Sequence, residues 1–313
     1  MDKNERLFLM QISDGYSFRN MLGAIKSETT EATMILTATQ IRLSFINKTK
    51  TAVHRIELDP LEFTCYEYNI KDSNGEVLPE GRITFNTAEF FNTTKMVGKR
   101  DSIRIYWLRD DTQFNVQPIK VNTKDPGRAG ASFVTVVVKT EQEDDYIIEI
   151  NNGQVPNVRV QAKEFSDLCS QANTLKCPIL EIVGRKNGVL FRGILSNNTP
   201  AFVSKFGNHT EPTSGINKDG SNVDEYLDNL KSSSAFSSNP IKQRLELNIV
   251  NTDDLMTSKL PNSTIKALSK FHNISPPLTN LRFFFAENKP TRIESPIGTY
   301  GKYSIALRNA RTI

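Results

Sequence analysis

The alternation of apolar and polar positions divides the chain into recurring units, the first running from Arg6 to Leu58. It opens with a strand over Arg6–Ile12 and a turn at Asp14-Gly15. A helix over Ser17–Ser27 follows, where Phe18, Met21, Leu22 and Ile25 recur at i, i+3, i+4 and i+7 as one apolar stripe. Strands are expected over Ala32–Thr37, Ile41–Phe45 and Ala52–Leu58. Arg19 and Lys26, seven residues apart, share another helix face, with Gly23 one turn beyond Arg19. A helix that packs by one side and shows cations on the other is a candidate reader of a nucleic-acid backbone. The same pattern fits an ordinary solvated face, and it is the recurrence of the unit that favours the first reading.

After a strand at Phe63–Asn69 and a turn region at Lys71–Glu80, the pattern restarts. Arg82–Asn86 reads as a strand, Thr87–Val97 as a helix capped by Asn86 or Thr87, and Ser102–Leu108 as a strand. Lys95, Lys99 and Arg100 gather at the end of that helix, and strands are expected at Thr112–Val121 and Phe133–Lys139. In the third unit a strand at Val158–Gln161 leads into a helix at Lys163–Asn173, where Phe165, Leu168, Cys169 and Ala172 repeat the first helix's spacing. Lys163 and Lys176 flank it, and strands at Ile179–Arg185 and Gly188–Leu195 meet at a hairpin turn. The fourth unit has a strand at Lys242–Val250, the stretch Asp253–Leu260, and a helix at Ser263–His272 capped by Asn262 or Ser263. Lys266 and Lys270 lie four apart on that helix, before strands at Leu281–Ala286, Thr291–Ser295 and Tyr303–Leu307. Four units, each with basic residues beside its helix, imply two similar domains of two units each.

Two stretches break the pattern. Thr140–Asn152 (TEQEDDYIIEINN) is acidic with apolar residues embedded, and fits equally a linker or one more strand. Ser196–Pro240 turns to Asn, Ser, Gly, Thr and Pro, as in a long loop or insertion, with a short helix at Val223–Lys231.

The length of 313 residues leaves room for two domains with real cores. A formal charge of +4 is mild, so any phosphate site must come from local placement of cations. Three cysteines argue for a reducing compartment rather than a disulfide framework. The N-terminus lacks a secretory pattern and no apolar run approaches a membrane span, so a soluble, intracellular protein is expected. His54, His209 and His272 have no metal-ligand spacing, and no nucleophile elbow, P-loop or dinucleotide motif occurs. Asp144-Asp145 and Asp253-Asp254 are adjacent pairs whose side chains diverge in a strand. No catalytic residue, metal or cofactor is expected, and the chain reads as a non-enzyme.

The run FRNMLGAIKSETTEATMILTATQIRLSFINKTKTAVHRIELD resembles the N-terminal segment of the eukaryotic and archaeal DNA sliding clamps, the proliferating cell nuclear antigen family. The end, LRFFFAENKPTRIESPIGTYGKYSIALRNA, is similar to the family's closing strands, with Tyr303-Ser304-Ile305-Ala306-Leu307 where the family has Tyr-Tyr-Leu-Ala-Pro. The resemblance covers nearly the whole length through the order of elements. It implies an α+β, two-domain sliding-clamp (DNA clamp) fold, each domain of two β-α-β-β-β units, helices lining the inner face and sheets outside. Residues 1–139 and 157–313 would be the domains, the second holding the polar insertion 196–240, with 140–156 as interdomain connecting loop.

The family forms a homotrimeric ring around double-stranded DNA as a DNA polymerase processivity factor. On that reading Arg19, Lys26, Lys95, Lys99, Arg100, Lys163, Lys176, Lys266 and Lys270 face phosphates without reading bases. Polymerases and other replication or repair proteins would dock through a short peptide with an aromatic anchor. Its recess would be walled by Tyr146, Ile147 and Ile148 and floored by Ile46, Ala306 and Leu307. Subunit closure would pair strand Thr112–Ile119 with Gly188–Ile194 of the next copy. The connecting region lacks the family's proline, Leu307 stands where the family has proline, and the tail RNARTI is basic. Together with the insertion, these departures imply a divergent, viral member working in the nucleus or at a cytoplasmic viral replication site. The alternative is a clamp-fold processivity subunit or late transcription factor scaffold that closes no ring.

Overall fold

The computed structural model describes residues 6–72, 74–109, 111–120, 132–138, 155–186, 188–207, 254–286 and 289–307. Strand β1 (Arg6–Ile12) leads into helix α1 (Gly15–Glu28), whose start is fixed by Asp14: its Oδ1 accepts the Ser17 N–H at 3.0 Å. The turn expected at Asp14-Gly15 is thus the helix cap. Glycine is required next to it, because a Cβ on Gly15 would lie 2.8 Å from the Asp101 carbonyl oxygen. The stripe of Phe18, Met21, Leu22 and Ile25 is buried throughout.

Strands β2 (Glu31–Leu36), β3 (Ile41–Ile46) and β4 (Ala52–Leu58) complete this unit, and β5 (Cys65–Tyr68) follows a 3₁₀ turn at Pro60–Glu62. The second unit is β6 (Gly81–Asn86), α2 (Thr87–Thr93), β7 (Ser102–Leu108), β8 (Gln113–Ile119) and β9 (Ser132–Val138). The third is β10 (Val158–Gln161), α3 (Ala162–Thr174), β11 (Ile179–Arg185), β12 (Gly188–Ile194) and β13 (Pro200–Gly207). The fourth is β14 (Asp254–Pro261), α4 (Asn262–Leu268), β15 (Asn280–Phe284), β16 (Thr291–Ile297) and β17 (Gly301–Leu307). Each unit is a strand, a helix and three strands.

The sheets repeat with the units. Thirteen strands run in the order β10-β15-β16-β17-β4-β3-β2-β6-β9-β8-β7-β1-β5, and four in the order β13-β12-β11-β14. The order β4-β3-β2-β6 of the first half therefore recurs in the second as β13-β12-β11-β14. The seam between halves is the antiparallel pair β17–β4, in register from Gly301↔Leu58 to Leu307↔Ala52.

Three expectations are corrected. Pro200–Gly207, assigned to the polar insertion, is strand β13 on the end of the smaller sheet, where a proline loses no ladder hydrogen bond on its open side. The fourth helix ends at Leu268 with Pro261 in the cap position, and Phe271–Asn273 is a 3₁₀ turn. The second helix stops at Thr93, and Val97 is buried from the turn beyond it. Lys242–Val250, Val223–Lys231 and the acidic stretch Thr140–Asn152 lie outside the described residues.

Candidate nucleic-acid interface

The four helices form one row in the order α2–α1–α4–α3, each packed on the next. Gly23 of α1 lets Phe91 of α2 come close, since a Cβ there would sit 3.0 Å from the ring. Asn20 Nδ2 donates to the Asn273 carbonyl at 3.0 Å, tying α1 to the turn after α4. The His272 N–H donates to Ser166 Oγ at 3.1 Å, tying the same turn to α3. Helices from both halves of the chain therefore share one layer.

The cations along this row differ in their engagement. Arg19 stacks over Tyr16, 4.8 Å from its centroid, and its Nη1 donates to the Val97 carbonyl at 2.7 Å, so it also ends the α2 turn. Lys26 and Lys95 place their ammonium groups 4.9 and 5.9 Å from the centroid of one ring, Phe91. Lys99 and Arg100 are exposed in the turn after α2, and Lys176 in the turn after α3 with a left-handed φ of 55°. Lys266 projects from α4 into solvent, whereas Lys270 is exposed beyond its end, at the start of the 3₁₀ turn. Lys163 is paired with Asp167 one turn along α3, which also carries Glu164. Positive charge is densest at α1, the α2 end and α4, and thinnest on α3. Such dispersed ammonium and guanidinium groups suit a polyanionic backbone.

On the far side of the seam, register aligns Ile46, Val53, Ala306 and Arg292 across β3-β4-β17-β16. Ile46, Val53 and Ala306 are half-buried, and the Arg292 guanidinium lies 4.0 Å from the Phe284 centroid. Leu307 does not join this floor: it is 1% exposed and faces the core, because successive strand residues point to opposite faces. Val53 was missed, although its alternation with His54 in β4 placed it on the same face. Tyr146, Ile147 and Ile148 lie outside the described residues.

The strands expected to close a ring are not edges. β8 lies between β7 and β9, and β12 between β11 and β13. Among the described residues, β13 has one neighbour. β9 pairs β8 by its first half and β6 by its last residues, and presents Phe133 and Val137 at 53% and 60% exposure. The Thr135 N–H between them is taken by Glu89 Oε1 of α2 at 3.0 Å.

A buried polar cluster lies under the seam and had no sequence signal, since its members come together only in the fold, from the end of α1, the β3–β4 hairpin, α4 and β17. Glu28 at the end of α1 accepts from Thr264 Oγ1 of α4 at 3.2 Å, and Asn47 Nδ2 donates to the same hydroxyl at 3.3 Å. His54 stacks on Phe45, its Nδ1 lies 3.0 Å from the Tyr303 hydroxyl, and its Nε2 is 3.8 Å from Glu28. That last separation exceeds a hydrogen bond. Burial holds His54 down to about 3, so the imidazole is neutral at physiological pH, and the same burial raises the Glu28 carboxyl. Burial likewise lifts the thiols of Cys169 and Cys177, which leaves both as inert core groups.

Among the described residues no three His, Cys, Asp or Glu side chains gather as a metal site, and no helix is long and apolar enough to cross a membrane. The sequence matches no family profile and no curated protein. Solved structures do match. Proliferating cellular nuclear antigen from Entamoeba histolytica superposes with a TM-score of 0.64 over 97% of this chain and 99% of its own, at 10% identity. The PCNA2–PCNA3 complex from Sulfolobus tokodaii gives 0.63, 96%, 99% and 12%. The chain therefore has the mixed α+β, mostly sheet fold of the PCNA clamps along nearly its full length.

Proposed function

We propose that this chain is a DNA polymerase processivity factor, a non-enzymatic sliding clamp that encircles duplex DNA without sequence specificity and tethers replication and repair enzymes. The observation that carries the reading is the continuous row α2–α1–α4–α3, with its cations, inside a clamp fold. Three copies would put twelve such helices around the duplex, with the sheets outside. The domains would be residues 1–139 and 157–313, joined by 140–156.

The repeat supplies the rule for closure. β17 pairs β4 at the seam inside the chain, and their counterparts in the repeat are β9 and β13. Strand β9 of one copy would therefore add to the end strand β13 of the next, covering Phe133 and Val137 and giving β13 a second neighbour. Partner peptides would use the outer floor of Ile46, Val53 and Ala306. The departures from the family at the connecting segment and C-terminal end fit a divergent, viral member acting where viral or nuclear DNA is copied.

Charge should act collectively. Replacing Lys26, Lys95, Lys266 and Lys270 together by alanine should weaken duplex binding in low salt and flatten the salt dependence, by up to ~0.9 in log–log slope for each phosphate no longer neutralised. Any single replacement should change it little. Fluorescence anisotropy against a salt series reads both, and an unchanged slope in the quadruple variant would remove DNA as the ligand of this layer.

A further inference from the structure

Phe91 sits where α2 meets α1, half-buried, with two lysines from different elements brought to its one ring: Lys26 from the last turn of α1 and Lys95 from the turn after α2. Their ammonium groups can be no more than about 11 Å apart, the sum of the two centroid distances. Neither is in an ion pair with a carboxylate among the described residues, in contrast to Lys163 with Asp167 and Lys120 with Asp101. The difference matters chemically. A carboxylate cancels a lysine's charge, whereas a phenyl face attracts the cation and leaves its charge and its N–H donors available. It also restrains a four-carbon side chain that would otherwise sample many rotamers.

We infer that Phe91 is a positioning residue of the DNA-facing layer: its one ring holds both Lys26 and Lys95, as charged, unneutralised donors for backbone phosphates. This rests on the proposed DNA-binding role. Gly23 belongs to the same device, since any side chain there would press on the ring.

The test compares Phe91→Leu, which keeps an apolar group without a π face, with Phe91→Tyr, which keeps the face. Binding of a labelled duplex in low salt should fall about two- to five-fold in Phe91→Leu and be retained in Phe91→Tyr. In a Lys26→Ala/Lys95→Ala background, Phe91→Leu should have no further effect on binding, because nothing remains for the ring to position. NMR adds a readout independent of DNA: the Lys26 and Lys95 ε-methylene protons should show ring-current shifts that vanish in Phe91→Leu. Equal losses from Phe91→Leu in both backgrounds would overturn the inference and mark the ring as packing only. If Lys26→Ala/Lys95→Ala itself binds duplex like the wild type, it is the DNA-facing reading that fails. If that pair weakens binding and Phe91→Leu does not, only the positioning role fails.

Discussion

Replacing Glu28 by a neutral side chain should expose an acid-sensitive stability contribution from His54 at the seam between the two halves. His54 is buried with no charged partner within hydrogen-bond reach, and its folded pKa is held to about 3 against 6.5 when free. Between those values acid loads protons onto the unfolded chain only, so stability falls as the pH drops below about 6.5. The linkage amounts to ~2 kcal/mol lost by pH 5, and ~4 kcal/mol near pH 3. Glu28 works the other way. Its folded pKa is raised above 4.5, so the native state holds the extra proton from there up to that pKa, and stability falls as pH rises through this window. Where the two windows overlap, the wild-type chain shows only the difference. Glu28→Gln keeps an oxygen for Thr264 and removes the opposing titration. Urea unfolding of Glu28→Gln at pH 8 and pH 5, at one protein concentration, should show the ~2 kcal/mol drop. The double variant Glu28→Gln/His54→Phe should lose that drop, because phenylalanine can keep the stack on Phe45 without a titrating nitrogen. Identical pH dependence in the single and double variants would refute the assignment of His54 as the group responsible.

Other outcomes follow from the packing. Gly193 faces Phe202 across the β12–β13 ladder, and a Cβ there would stand 2.2 Å from the ring, so Gly193→Ala should cost ~1–3 kcal/mol in urea unfolding. Phe133→Asp/Val137→Asp should leave the fold intact, as both side chains are more than half exposed, and should reduce the mass seen by light scattering to that of one chain. An unaltered oligomer in that variant would place the subunit interface elsewhere.

The helices were legible because their stripes are local: Phe18 to Ile25 and Phe165 to Ala172 each cover two turns with a 3.6-residue period. Strands β4, β7, β10 and β11 fall where alternation puts them. The fourth helix reads too long from sequence for a physical reason. Ile265, Leu268 and Phe271 keep a spacing of three, which a 3₁₀ turn buries as well as an α-helix does. β13 is hidden by the proline that starts it and the polar turn before it, features that an end strand tolerates. Leu307 was readable, since alternation puts Ile305 and Leu307 inside and Ala306 outside. Strand order was not, because whether β8 or β12 has a free side depends on partners distant in sequence. The same holds for Glu28, His54 and Tyr303, which meet only in the fold. For the basic residues beside the helices, position is legible in the chain and engagement is not: Arg19 caps a turn, Lys163 pairs with Asp167, and Lys26 and Lys95 share Phe91.

The most direct test of a closed clamp is topological. The mass from light scattering should be about 106 kDa, three times the 35.3 kDa chain. Assembled around a nicked circular duplex, the protein should stay bound through gel filtration and be lost once the circle is cut, as a ring slides off the ends. Equal retention on circular and linear DNA, or a single-chain mass at every concentration, would contradict the account.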